Sequence, residues 1–384
     1  MNVLMMVSWY TRLNKEISAG IFHYEQIMNM KEKCNVALFW PFDIEQKERC
    51  SCEIDSGVRI YRTRFKEGLK YKIQRLTDIF LAFKRINKEF KPDIIHAHVA
   101  GSAGKYAIAL GRLFNIPVVI TEHCPLELTD INNSRSKRII HNVYRKSKAN
   151  FCVSDYLTNK LREVFPDCKF QVMYNGINIR KDVIPLDVRK DSSVNAVIVA
   201  AFYNEYVKGY HILLPALKKV LENGKNIYLH IVGDGIYKKK YEKMAYELGI
   251  QDNCKFYGQL SKEETYKIIK SMDFAISASL TESAGVFVEE SMMLGKPLVV
   301  TKSGGADSLV DKDAAIIVEK NDVTALSEGI KYMIDNFYRF DSKKITEYAV
   351  EKFDMENINN KYINVYKRII QNKKDKNEME RNIG

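Results

Sequence analysis

No run of 18 consecutive apolar residues occurs in the 384-residue chain, so no membrane-spanning helix is expected. The first ten residues, MNVLMMVSWY, lack the basic n-region and small-residue cleavage site of a secretory signal. They suit a first buried strand, and the expected location is the cytoplasm. Seven cysteines (34, 50, 52, 124, 152, 168, 254) are odd in number and scattered. Cys50-Ser-Cys52 is their one close pair, and no second pair or histidine completes a zinc spacing. They are expected to be reduced thiols. The chain has no G-x-G-x-x-G dinucleotide fingerprint, no Walker lysine, no internal repeat and no low-complexity tract. Dinucleotide enzymes, P-loop NTPases, solenoids and disulfide scaffolds are thereby set aside.

What remains is an ordinary globular composition, 46% hydrophobic and 28% charged, long enough for two cores. The net charge of +12 is uneven. Residues 1–180 hold 29 Lys and Arg against 18 Asp and Glu, and the remainder holds 31 against 30. The excess sits in Arg59–Lys91 and Arg135–Lys148, where apolar residues (Ile73, Leu76, Ile79, Phe80, Phe83; Ile139, Ile140, Val143, Tyr144) interleave the cations. Such basic amphipathic helices either lie against an anionic membrane or phosphorylated substrate, or show water the solvated face of a helix packed on a sheet. No nucleic-acid motif accompanies the charge, so nucleic acid is not an expected partner.

Short apolar runs alternate with helix-length segments. Strands are predicted at Val3–Val7, Val36–Trp40, Val58–Thr63, Ile94–His98, Val118–Glu122, Asn150–Val153 and Gln171–Tyr174. After the polar stretch Arg180–Val194 the pattern restarts at Asn195–Phe202, Tyr228–Val232, Cys254–Tyr257, Phe274–Ser277, Leu298–Thr301 and Ala315–Val318. This alternation predicts an α/β protein with two doubly wound parallel sheets facing across a cleft. The expected domains are residues 1–185 and 190–354. The helix at 355–371 has an apolar stripe with no later sequence to pair with, and 372–384 is polar enough to be a disordered tail.

The densest chemistry lies at Glu282–Val300, ESAGVFVEESMMLGKPLVV. Its apolar spacing predicts a half-buried helix from near Gly285 to Gly295. Unpaired amides at Gly285, Val286 and Phe287 would then face an anion, most often a phosphate. Glu282 would precede the helix, and Glu290, two turns on, can accept bonds from sugar hydroxyls. Phosphate plus sugar is the signature of a sugar nucleotide.

This segment resembles the E-x7-E motif of retaining glycosyltransferases of family 4, matching at Glu282, Gly285, Glu290, Met292, Gly295, Lys296 and Pro297 and departing at Ala284, where the family has Phe. Other family patterns have counterparts: Ser18–Phe22 with Gln26, placing Gly20 near donor phosphates; Pro92–His98; Thr121-Glu122-His123; Met173–Asn178, which contains Asn175; Lys208-Gly209; Ile231–Gly235, with Gly233 and Gly235 letting the backbone approach the nucleotide; and Ser303-Gly304-Gly305 near the donor sugar. The resemblance implies the GT-B fold, with the final helix crossing back onto the first domain. It implies Lys208 on the diphosphate, Glu290 on the ribose, Glu282 and His123 near the reacting sugars, and His98 and Asn175 on the acceptor side. The family often has an arginine six residues before the lysine, where this chain has Phe202.

The implied enzyme is a metal-independent, retaining glycosyltransferase of the hexosyltransferase type. It would use a UDP- or GDP-sugar and a glycan or lipid-linked acceptor in cell-surface polysaccharide synthesis, with peripheral contact to an anionic inner membrane face. Two rivals share the fold: a sugar-nucleotide epimerase, and a non-catalytic sugar-nucleotide-binding subunit, which Phe202 favours.

Overall fold

The computed structural model describes residues 1–10, 20–126, 129, 131–178, 183–188 and 193–383. Ser18, Ala19 and parts of the interdomain stretch lie outside them. The chain divides into two compact units. The first comprises residues 1–153, 158–178 and 355–384, and the second comprises 154–157 and 179–354.

In chain order the first unit runs β1 (Asn2–Met6), α1 (Ile21–Met30), β2 (Asn35–Asp43), β3 (Ser51–Asp55), β4 (Val58–Arg64), α2 (Lys72–Glu89), β5 (Ile94–His98), α3 (Lys105–Leu113), β6 (Val118–Glu122), α4 (Ser134–Lys146) and β7 (Ala149–Cys152); α5 (Asp155–Val164) then leads to β8 (Gln171–Val172). The sheet order is β3-β4-β2-β1-β5-β6-β7-β8, parallel except for the antiparallel β3–β4 pair. β5 and β6 are buried along their whole length, as parallel strands covered on both faces must be. β3 is the strand the sequence does not announce. SCEID holds a single aliphatic residue, and the strand lies exposed at the sheet edge.

The second unit follows as β9 (Val194–Val199), α6 (Tyr210–Glu222), β10 (Ile227–Val232), α7 (Lys238–Glu247), β11 (Cys254–Gly258), α8 (Lys262–Ser271), β12 (Phe274–Ser277), α9 (Val286–Met293), β13 (Leu298–Thr301), β14 (Ala315–Val318), α10 (Val323–Asn336) and α11 (Ser342–Phe353). Its six parallel strands are ordered β11-β10-β9-β12-β13-β14. α8 starts at a full capping box of Ser261 and Glu264, the reciprocal pairing that satisfies two otherwise free amides.

The last helix, α12 (Met355–Ile383), belongs to the first unit. Ile358, Tyr362, Ile363 and Tyr366 enter the core formed by Met5, Ile94, Val119 and Phe151. Residues 372–383, expected to be a disordered tail, instead continue this helix. No glycine or proline interrupts them, and Gln371 Nε2 donates to Asp375 Oδ1 one turn on, at 2.7 Å. Among the described residues no helix is long and apolar enough to cross a membrane.

Candidate functional site

In the second unit β9 stands beside β12, and the chain departs in opposite directions on either side of that pair. Ligands of open α/β sheets bind beyond the carboxyl ends of strands at such a reversal. Lys208 follows β9 and Glu282 follows β12, and the structure brings them together. Lys208 Nζ is 2.5 Å from Glu282 Oε1, which also accepts from Ser279 Oγ at 2.8 Å. Leu280 N donates to Val207 O at 2.8 Å, which ties the two loops. Gly209 turns the chain with φ +71°, and a Cβ there would lie 1.9 Å from Ala278 O. Only glycine fits that turn.

The loop after β13 joins the cluster. Glu282 N donates to Ser303 O, Gly305 N donates to Glu282 O, and Gly304 N donates to Asp307 Oδ1 at 2.6 Å. A Cβ on Gly304 would meet the ring of Tyr156 at 2.4 Å. Burial raises the Asp307 pKa, against the bond from Gly304 and the charge of Lys320. Gly285, at φ +139°, opens α9, followed by Val286. Glu290 is nearly buried. Its Oε1 accepts from Tyr266 Oη at 3.0 Å and lies 3.3 Å from Lys262 Nζ, so α8 fixes and compensates this carboxylate.

Gly233 and Gly235 also approach the chain itself closely: added Cβ atoms would lie 2.1 Å from Ala200 O and 2.5 Å from the Phe202 carbonyl carbon. Phe202 is a core residue stacked on Tyr210, with centroids 4.2 Å apart, so an aromatic partner on α6 explains why no cation stands there. A further cation, which spacing did not signal, is Lys320 beyond β14; its Nζ donates to Leu280 O at 3.1 Å. The sequence contains one Asp-x-Asp, Asp311-Lys312-Asp313. It forms an exposed turn at the amino end of β14, where Asp311 Oδ1 accepts from Asp313 N at 2.9 Å.

The first unit reverses its strand order between β1 and β5. Gly20, in the left-handed conformation (φ +83°), starts α1 after β1, while His98 ends β5 and His123 follows β6. His98 Nδ1 is 2.8 Å from His123 Nε2. His23, in the first turn of α1, packs edge-on against both rings, with centroids 4.4 and 5.5 Å away. Burial holds these imidazoles, and His96 beside them, neutral at pH 7. His96 and His123 are lowered to about 3, and His23 and His98 well below their usual value. Asn175 is half-buried in the loop after β8. Its neighbour Gly176 packs on Met355 at the start of α12.

Two features hold the His98–His123 pair. Val99 has φ +72°, a strained conformation for a β-branched residue, and it opens a π-helical turn, Val99–Gly104. Glu122, at the end of β6, is almost fully buried. Its Oε1 accepts from the amides of His123 and Cys124, and its Oε2 from the amide of Ala100 and Tyr144 Oη, all at 2.9–3.0 Å. Burial raises its pKa although these four bonds pull the other way. The Thr-Glu-His motif contains Glu122, but its spacing assigns it no role. An acid ending an otherwise apolar strand was the available signal.

Residues 188–352 match the family model described as glycosyl transferases group 1, and residues 30–181 match that of glycosyltransferase family 4. The chain is 25% identical over 335 residues to alpha-monoglucosyldiacylglycerol synthase of Streptococcus pneumoniae, covering 77% of this chain and 76% of that protein. It superimposes on sucrose-phosphate synthase from Thermosynechococcus elongatus with a TM-score of 0.78 at 16% identity, covering 97% of this chain and 100% of the other. With Anabaena HepE in complex with UDP the TM-score is 0.73 at 16% identity, covering 96% and 100%. These structural likenesses show the GT-B fold. With both halves matched to glycosyltransferase models, the chain belongs to the group 1 glycosyltransferases and is an enzyme of that family.

Proposed function

We propose that this enzyme binds a UDP- or GDP-sugar through its second unit and transfers the sugar, with retention of configuration, to a glycan or lipid-linked acceptor in cell-surface polysaccharide or glycolipid synthesis. The observation that carries this reading is the Lys208–Glu282–Gly304 cluster at the β9/β12 reversal, with the start of α9 in the same segment. An arriving diphosphate takes the Lys208 ammonium from Glu282. Lys208, Lys320 and the first-turn amides of α9 then stabilise the charge that builds on the leaving phosphate, without a metal. Glu290, held by Tyr266, receives the ribose hydroxyls. The acceptor oxygen bonds to the anomeric carbon on the face the phosphate leaves, and its proton passes to a phosphate oxygen. Neither Glu282 nor Glu290 serves as a nucleophile. The UDP in the Anabaena structure and the glycolipid named for the pneumococcal relative support the donor and acceptor classes.

The two basic helices of the first unit now differ. On α4, Ile140, Val143 and Tyr144 are buried, which leaves an ordinary packed helix. The segment into and along α2 keeps Leu69 (88% exposed), Ile73 (80%), Leu76 and Leu81 at the surface among Lys70, Lys72 and Arg75. This is the face that would rest on an anionic bilayer.

The test is a thermal-shift and ligand-NMR screen against UDP, GDP and their sugar conjugates, with and without divalent metal. Stabilisation by one nucleotide family, weakened in Glu290→Ala, is expected. Absence of any response from folded protein would overturn the donor assignment.

A further inference from the structure

At the amino end of β6 the first unit has a half-open cavity of about 780 Å³. It lies at the opposite end of the sheet from His98 and Glu122, the last residues of β5 and β6. Three separate stretches of chain wall it: the end of α3 with its link to β6, the link from α4 to β7, and α12 beyond Tyr366. The third wall exists because residues 372–383 continue the helix. Ile116, Pro117 and Ile369 give the cavity an apolar floor. Arg112, Lys146, Lys148, Lys373 and Lys376 stand around it, and no aspartate or glutamate is among the lining residues.

Elsewhere on the surface, lysines pair with acids one turn away, as Lys218 does with Glu222, Lys238 with Glu242 and Lys267 with Glu263. Arg112, Lys146 and Lys148 form no ion pair among the described residues. Lys373 Nζ donates to the Asn115 carbonyl, a neutral group. Arg112 and Lys146 sit in the last turns of α3 and α4, where exposed carbonyls favour a cation. Those two helix ends together contribute about one negative charge. Five cations set against it leave a surplus of about four. Charges of one sign around a concavity focus their field on its interior.

We infer that this cavity binds a soluble phosphate ester with two or three phosphate groups on a flat apolar moiety, a nucleoside di- or triphosphate in size and chemistry. The volume lies within the range of small-ligand cavities, about 300–1,000 Å³. Phosphate oxygens suit ammonium and guanidinium donors. A terminal phosphate carries about 1.5–2 negative charges at neutral pH, so a di- or triphosphate matches a surplus that a lone phosphate or carboxylate leaves standing. The base covers the apolar floor. A lipid headgroup offers the same phosphate chemistry, but the exposed apolar residues that suit a bilayer, Leu69 and Ile73, follow the carboxyl end of β4. The cavity is at the amino end of the sheet, which favours a soluble ligand. All its lining residues belong to the first unit, and the donor reading of the second is not needed.

The test is equilibrium binding by the full chain. ADP, ATP, inorganic pyrophosphate and phosphatidylglycerol-containing vesicles are offered separately to the unmodified protein, Lys146→Glu/Lys148→Glu, Arg112→Glu and Lys208→Ala. Saturable binding of ADP or ATP is expected. Either charge reversal should weaken it by about tenfold or more, added salt should weaken it further, and Lys208→Ala should leave it unchanged. Pyrophosphate should bind more weakly, because it leaves the floor uncovered. UDP and GDP titrations of the charge-reversed proteins report the donor site separately, so the two readings fail independently. The replaced side chains are exposed; should one variant not fold, the other decides. No saturable ADP or ATP binding by folded protein, equal affinity in a folded charge-reversed variant, loss of binding in Lys208→Ala, pyrophosphate binding as tight as ADP, or binding to vesicles alone overturns the inference.

Discussion

Glu122→Gln isolates the charge of one buried carboxylate while keeping its shape. Each oxygen of Glu122 faces two donors. On the Oε1 side both are backbone amides, of His123 and Cys124. On the Oε2 side one is the amide of Ala100 and the other is Tyr144 Oη. A glutamine must turn its NH₂ toward one pair. Only the tyrosine hydroxyl can rotate and accept, so the NH₂ belongs on the Oε2 side and the Ala100 amide is orphaned. That costs about 1–3 kcal/mol. Two remaining bonds lose their charge assistance, about 1 kcal/mol each, and relief of the buried charge offsets part of this. The net expectation is a loss of roughly 2–4 kcal/mol. Both tryptophans, Trp9 and Trp40, lie in the first unit, so fluorescence-monitored urea unfolding reports on that unit. With an m-value of about 2–3 kcal/mol/M the midpoint should fall by roughly 1 M. Hydrogen exchange at Ala100 should accelerate before that of the β5 amides. Glu122→Ala, which abandons all four donors, should be worse. A midpoint shift below about 0.2 M in both variants would refute the claim that this carboxylate holds the His98–His123 pair.

Lys208→Ala should lower kcat by about 10²–10³ with a smaller change in donor KM; a fall of less than threefold in donor turnover would argue against its place on the leaving phosphate. Gly209→Ala combines a φ of +71° with a Cβ 1.9 Å from Ala278 O. It should cost more than about 2 kcal/mol, and an unchanged Tm would contradict the turn. His96 and His123 have folded pKa values near 3 against an unfolded value near 6.5. The unfolded chain therefore binds more protons between those limits. First-unit stability should be flat above pH 6.5 and fall below it, by roughly 2 kcal/mol per histidine at pH 5. Equal fluorescence midpoints at pH 7.5 and 5.0 would disprove this. Replacing Leu69 and Ile73 by Asp should abolish co-sedimentation with anionic liposomes while preserving donor binding; retained sedimentation would dismiss α2 as the membrane face.

Strands such as Ile94–His98, Phe274–Ser277 and Leu298–Thr301 were legible because buried parallel strands are short apolar runs with sharp polar or proline borders. β3 was not, because an exposed edge strand needs no apolar run. The E-x7-E segment showed its helix and its two acids, since a helix fixes spacing locally. It did not show that Glu282 holds Lys208, 74 positions earlier, or that Glu290 is held by Tyr266.

Fold class, family and the residues near each strand's carboxyl end were readable from the chain alone, because periodicity, composition and local turns act over a few residues. The packed fold sets the company those residues keep. Phe202 became a core ring because Tyr210 lies under it, Lys320 reached Leu280 past the end of β13, and His23 joined the strand-end residues His98 and His123 from helix α1. Strand order sets such neighbours, and strand order is fixed by which apolar faces pack together over the whole chain, a quantity that no local spacing encodes.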